Sequence, residues 1–313
     1  MMGKIGSTFA ASDAHATDAP SPPAASLARR LFRRGQRIVR SLPARFAHSR
    51  DRAQALSMIA RFPTVSMRSA HGLPGPLIVS LTSYPARYPT LPNTLKSLLD
   101  QTVRPDRTVL WIAHEDEAAL TPEILMLREH GLEIRLCKDL KVYNKIIHSL
   151  ERWPEAFIVT ADDDIYYPPD WLASITDHYD PTNPMIVCRR AHRPQRDARG
   201  ELRPYQEWEW QVSDNRPSKT DLFPTGTGGV LYYPGALAPE VIDHASLTTL
   251  CAHCDDIWLW WMGRRSGVIY QQVGGYFRTV EWAGSQATSL FSGNSRGRND
   301  ERIRAMRAHF GPV

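Results

Sequence analysis

The sequence predicts an α/β fold, a mostly parallel sheet with flanking helices, and three observations carry the prediction. Short apolar, β-branched runs recur between Leu77 and Ala161, segments of helical period separate them, and 313 residues with 42% apolar content suffice for one large domain plus extensions. Nine Trp, eleven Tyr and nine Phe exclude wholesale disorder. The sequence has no run of about 18 apolar residues, which excludes a membrane-spanning helix. Cys137, Cys188, Cys251 and Cys254 are too few and too irregular for a disulfide scaffold and point to a reducing compartment.

Each element of the fold has its own justification. Leu77–Thr82 reads as the opening strand, broken by Tyr84, Pro85 and Ala86. A helix over 91–101 follows, with Leu95, Leu98 and Leu99 on one face, and then a strand over 108–113. Helix 121–130 leads to strand 133–136, and helix 142–152 to strand 157–161. This rhythm implies parallel strands, and ligands of such sheets collect beyond the carboxyl ends. Residues 189–220, rich in Arg and Pro, read as an excursion over the surface.

The charge is unevenly spread. The net value is +5, yet residues 1–70 hold 12 of the 38 Lys and Arg against Asp13, Asp18 and Asp51, so the remainder is mildly acidic. No basic stripe interleaves with aromatics, which excludes a nucleic-acid partner. Residues 1–25 are too poor in large apolar side chains to order. Residues 26–70 are expected to be a basic helical extension, because Leu27, Leu31 and Ile38 recur near helical spacing among Arg29, Arg30, Arg33, Arg34, Arg37 and Arg40. That helix either lies on an anionic membrane surface or packs on the body. The expected location is the cytoplasm, with or without peripheral contact to an inner membrane.

Asp162, Asp163 and Asp164 follow directly on the buried strand. In an extended chain Asp162 and Asp164 point to one side and Asp163 to the other. Close carboxylates repel unless a cation sits between them. Oxygen-only ligands suit Mg²⁺ or Mn²⁺, which recruits substrate phosphates, so a nucleoside diphosphate is the natural guest. The plainer alternative, three Asp capping the turn before Tyr166, has to gather like charge without a reason.

The stretch from Ile78 to Asp170 resembles the nucleotide-binding half of a glycosyltransferase of the GT-A fold, close to the family-two-like bacterial enzymes. The matching pieces are the opening strand ending Leu81, Thr82, Ser83, Tyr84 and Pro85, the helix carrying Leu95–Gln101, and the D-x-D element Asp162–Asp164. Gly228–Tyr232 and Asp255–Trp258 are similar to that group's acceptor-side elements. The resemblance implies a Rossmann-like single catalytic domain over 71–313, with 71–175 as the nucleotide-binding half and 176–313 as the acceptor half. It implies a nucleotide-sugar donor, a glycan or lipid-linked acceptor, and a role in surface polysaccharide assembly. Asp164 would be the direct metal ligand and Asp162 would sit near the ribose or the metal, with Asp163 in the same nucleotide-binding group. Thr82, Ser83 and Tyr84 would border the base, and Asn144 and Lys145 would either contact the nucleotide or be ordinary helix-surface residues.

Asp255 and Asp256 open the aromatic segment Ile257–Met262, which reads as a core helix. One of them can cap it, which leaves the other for work. Inverting sugar transfer needs a base for the acceptor hydroxyl; the resemblance favours Asp256, with Asp255 as competitor. If configuration is instead retained, that argument fails. Thr225, Gly226, Thr227, Gly228 and Gly229 either let backbone approach the donor sugar or mark a bulged strand leading into Val230–Tyr233. Trp208 and Trp210 are acceptor candidates, since aromatic faces suit sugar rings. Cys251, His253 and Cys254 lack a fourth ligand and a second pair for zinc. Two other classes stay open: a nucleotidyltransferase or phosphohydrolase using the same acidic cluster, and a non-enzymatic membrane-associated adaptor.

Overall fold

In the computed structural model, residues 48–213, 216–218, 222–285 and 298–313 are described. The expectations for residues 1–25 and for the basic helix over 26–40 lie outside them. The strands are β1 (Ser69–Ala70), β2 (Leu77–Thr82), β3 (Val103–Arg104), β4 (Arg107–Ala113), β5 (Leu132–Cys137) and β6 (Phe157–Thr160), followed by β7 (Met185–Cys188), β8 (Ala191–His192), β9 (Phe223–Pro224), β10 (Val230–Tyr232) and β11 (Ile269–Gln272). The helices are α1 (residues 48–59), α2 (Leu91–Leu99), α3 (Pro122–Met126), α4 (Ile147–Arg152), α5 (Ala173–Thr176), α6 (His244–Leu250), α7 (Asp255–Arg265) and α8 (Asn299–Phe310).

Seven strands make the central sheet in the order β11-β7-β10-β6-β2-β4-β5. Only β10 among them runs against its neighbours β6 and β7; the pairs β2/β4, β2/β6, β4/β5 and β7/β11 are parallel. The α/β class and mostly parallel sheet that the sequence predicts are therefore present. The near-continuous apolar runs of β2, β4 and β6 follow from burial on both faces. Leu77, Val79 and Leu81 of β2 pack with Leu91, Leu95 and Leu98 of α2, while Ile78 packs with Val109, Trp111 and Ala156. Beyond β6, Ile158, Ile186 and Val230 join the tryptophans of α7 in a second large cluster. Strands from both expected halves share this one sheet. The body that carries it spans Arg50–Val313, and Ala55 and Ile59 of α1 pack there against Trp282.

Two expectations are corrected. The helix expected from Val142 begins as a 3₁₀ turn, Lys141–Lys145, and becomes α-helical only at Ile147. The reason is local competition for backbone donors: Asn144 Oδ1 accepts from Leu140 N at 2.7 Å and Asp139 Oδ1 from Lys141 N at 2.7 Å. The stretch 189–220 is not merely a surface excursion. Tyr205, Trp208 and Val212 are buried in the α7 cluster because Arg193 and Glu209 pair across a bridge that turns the segment's aromatics inward. Among the described residues no helix is long and apolar enough to cross a membrane.

Candidate functional site

A cleft of about 800 Å³ opens beyond the carboxyl ends of β2 and β6. Thr82, Ser83 and Tyr84 line it, as do all three aspartates of the acidic cluster. The chain bends at Asp163 instead of staying extended, so the three carboxylates fan out to partners on different elements. Asp162 Oδ1 accepts from Lys145 Nζ at 2.9 Å, Asp163 Oδ2 from Ser83 Oγ at 2.6 Å, and Asp164 Oδ2 from Arg87 Nη1 at 2.5 Å. The strict alternation expected for an extended strand is thereby corrected. Thr82 donates to the Trp111 carbonyl at 2.8 Å, which fixes the end of β2 against β4.

The second acidic pair reaches the same cleft from the start of α7. Neither carboxylate caps that helix: the N-cap is Cys254, with no side-chain cap bond. Asp255 lies 3.0 Å from Lys145 Nζ instead, and Asp256 Oδ1 accepts from Gly226 N at 2.9 Å. Lys145 therefore bridges Asp162 and Asp255, joining the two acidic groups through one buried ammonium. Burial works against its charge, but Asp162, Asp255 and Asp256 outweigh burial and hold its pKa well above the usual value. The same balance keeps Arg87 charged, since Asp164 and Asp163 outweigh its desolvation.

Two carboxyls are pushed the other way. Burial, with Asp164 adding repulsion, lifts Asp163 to about 6 although the Ser83 hydroxyl opposes the rise. Burial and then the like charge of Asp255 raise Asp256 well above the ordinary carboxylate range. An acid so placed is poised to exchange a proton near neutral pH.

Of the glycine-rich stretch expected to bring backbone near the ligand, Gly226 is the residue that meets this constellation. A Cβ there would come within 3.1 Å of Lys145 Nζ, 3.4 Å of Asp256 Oδ1 and 3.6 Å of Asp162 Oδ1. Gly228 and Gly229 do not line the cleft. A Cβ on Gly228 would strike Arg190 Cβ at 2.9 Å, and Gly229, at φ +90°, would strike the Trp171 ring at 2.5 Å. Their glycines serve close backbone packing. Trp208 is core as well: it is buried, its Nε1 donates to the Arg203 carbonyl at 2.9 Å, and it packs on Tyr205, Phe223 and Trp260. Trp210 does line the cleft, beside His192 at 4.6 Å. Asn144 lines it too, but its amide braces the loop at Asp139 and Leu140. Arg87 and Arg190, missed in the sequence, each follow closely on a strand end, which is the signal that could have found them.

Among the described residues no three Asp, Glu, His or Cys side chains converge on one point, so the protein alone does not cage an ion. Asp162 and Asp164 nonetheless suit Mn²⁺ or Mg²⁺ in the way that one or two carboxylates do when substrate phosphates and water complete the shell. At the centre of the cleft five carboxylates (Asp162, Asp163, Asp164, Asp255 and Asp256) face the cations of Arg87, Lys145 and Arg190. Carboxylates outnumber cations here, and a divalent ion would ease their mutual repulsion.

No protein-family model matches the chain, and no curated protein matches it. Among solved structures it is similar to a 4-diphosphocytidyl-2C-methyl-D-erythritol synthase, with 13% identity and a TM-score of 0.40 over 74% of this chain and 99% of that one. It is also similar to an inositol-1-phosphate CTP transferase from T. maritima, with 13% identity and a TM-score of 0.37 over 77% and 97%. At that identity and overlap neither structure speaks for this chain's reaction.

Proposed function

We propose that the chain is a metal-assisted glycosyltransferase, moving a sugar from a nucleoside diphosphate donor to a hydroxyl of a glycan or lipid-linked acceptor with inversion. Assembly of surface polysaccharide, on the cytoplasmic side and with the basic N-terminal segment near an anionic membrane, is part of this reading. The observation that carries it is Asp256. Its carboxylate is held in the cleft by one backbone amide, has no cation within salt-bridge distance among the described residues, and has a raised pKa. A hydroxyl acceptor must lose a proton as it attacks, and Asp256 is the group able to take it. A phosphate acceptor is already an anion, so nucleotidyl transfer onto phosphate would leave this group without a task.

The chain's residues divide the work. Thr82, Ser83 and Tyr84 border the nucleotide, and Asp162 and Asp164 would hold Mn²⁺ or Mg²⁺ beside the diphosphate. The ion, when bound, neutralises charge on the leaving group. Lys145 fixes the distance between the donor side at Asp162 and the acceptor side at Asp255. The acceptor oxygen displaces the diphosphate at the anomeric carbon, the breaking C–O pair leaves with the nucleoside diphosphate, and the hydroxyl proton passes to Asp256.

The test is a screen of nucleotide sugars with Mn²⁺ for slow hydrolysis, with Asp164→Asn as control. Release of nucleoside diphosphate that depends on metal and on Asp164 is expected. Release of pyrophosphate, or no nucleotide sugar bound or turned over, would overturn the reading.

A further inference from the structure

Arg190 departs from the pattern of the other cleft cations. Arg87 and Lys145 are each paired with carboxylates, whereas Arg190 has no carboxylate within salt-bridge distance among the described residues. Its Nη1 donates to Thr225 Oγ1 at 2.8 Å, and its Nε is buried with no acceptor. Burial depresses its pKa, with the charge of Asp256 only partly offsetting the loss of water. The Nε of Arg87 is buried without an acceptor as well, so what sets Arg190 apart is the missing carboxylate, and an uncompensated guanidinium in a low-dielectric wall is expensive.

A second unmatched group stands close by. Gln211 Oε1 is buried with no donor, and the residue is held at φ +55°, a conformation that non-glycine residues rarely adopt. Its N–H donates to His192 Nδ1 at 3.1 Å, and Val212 N donates to Ala191 O at 3.0 Å, so this backbone runs alongside Arg190–His192. Trp210, next in the chain, lines the same wall with Tyr205 at 5.4 Å. One wall of the cleft thus offers an aromatic face, an oxygen wanting a donor, and a cation wanting an anion.

We infer that Arg190, Gln211 and Trp210 form a subsite for an acidic sugar, a hexuronic acid residue of the acceptor whose carboxylate pairs with Arg190. This inference rests on the glycosyl-transfer reading for the word acceptor, though the subsite itself does not. A carboxylate is the matching anion, because one guanidinium balances one charge. A diphosphate would bring two or more charges toward Asp256 and Asp162, whose charges already reach Arg190, and on the proposed reading its charge is met at Asp162 and Asp164 by the divalent ion. The ring of a sugar suits Trp210, and Gln211 Oε1, closed to solvent in this structure, would turn toward the cleft to take a ring hydroxyl.

Titration calorimetry of the full chain with methyl glucuronide and methyl glucoside tests this directly. The glucuronide is expected to bind about tenfold more tightly, the size of one charge-assisted pair. Arg190→Gln should erase the preference and Arg190→Lys should keep part of it, since a point charge replaces a fork. Gln211→Ala should weaken both sugars alike, and it keeps the test open if Arg190→Gln fails to fold. Equal binding of the two sugars by the wild type, or a preference unchanged in Arg190→Gln, overturns the subsite. Competition by inorganic pyrophosphate alone also overturns it, by assigning the guanidinium to the donor. If the preference holds while no nucleotide sugar is turned over with Mn²⁺, the transfer reading fails and the acidic-sugar site stands.

Discussion

The chain gathers aspartates twice, once after a strand and once at the start of a helix, and the two groups are neutralised differently. At Asp162–Asp164 every side chain has a partner from another element: Lys145, Ser83 and Arg87. At Asp255–Asp256 only Asp255 meets a cation, while Asp256 has a backbone amide. The first arrangement fixes three carboxylates in place at a cleft, which is what the proposed ion and diphosphate would demand. Asp163 and Asp256 both have a disfavoured ionised form, but Asp163 is held by the Ser83 hydroxyl whereas no side chain among the described residues holds Asp256, which suits it to the proton transfer proposed for it. On the proposed reading, two similar-looking sequence motifs thus acquire different tasks from their neighbours alone.

Replacing Asp256 breaks the comparison most severely. Asp256→Asn should lower transfer by about 10²–10⁴-fold, the usual contribution of a general base, while metal-dependent nucleotide binding stays as in the wild type. Steady-state kinetics together with nucleotide titration would check this. Loss of both together would mean that the two acidic groups are one site with one task.

A milder perturbation sharpens the same contrast. The like charge of Asp255 helps to raise Asp256, so the rate should climb as pH rises through the elevated Asp256 pKa. Asp255→Asn removes that repulsion and should move the acidic limb to lower pH. A pH–rate profile of both proteins decides it; a limb that does not move assigns the titration to another group.

Much of this was legible in the sequence, and what was not has physical causes. The alternation of apolar runs and helical periods fixes β2, β4 and β6 almost to the residue, because burial on both faces leaves an unambiguous run, and the edge strand β5 by its alternation of Leu132, Ile134 and Leu136 with Glu133 and Arg135. The D-D-D step stands out because nothing in a core strand explains it. The antiparallel β10 was not legible, since three apolar residues carry no direction. Trp208 and Trp210 share a face by strand period, so the pattern could not tell that one is walled in by Phe223 and Trp260 while the other lines the cleft. Lys145 could be suspected, but its bridge needs Asp255, which only the folded chain brings near.

The smallest expected effect concerns stability, and it turns on Asp163, the member of the first group held by a hydroxyl. Its folded pKa of about 6 lies above the ordinary carboxylate value of 3.8, so the folded chain binds this proton more tightly than the unfolded chain does. Stability therefore falls as pH rises from about 4 to about 6, because ionisation is easier once the chain unfolds. The loss is complete above the folded pKa and is at most about 3 kcal/mol. Asp163→Asn removes the ionisation and keeps an acceptor oxygen for Ser83, so in metal-free buffer it should flatten the pH dependence and stabilise the protein at pH 7.5 but not at pH 4. Urea unfolding at the two pH values measures the difference. Asp162→Asn, by contrast, leaves Lys145 with one carboxylate fewer and should destabilise at pH 7.5, since removing one member of a buried pair strands its partner. Opposite signs at neighbouring positions are expected only if Asp162 is held by a cation while Asp163 is held by a hydroxyl. Matching signs would show that the three aspartates share their protons and partners as a single group.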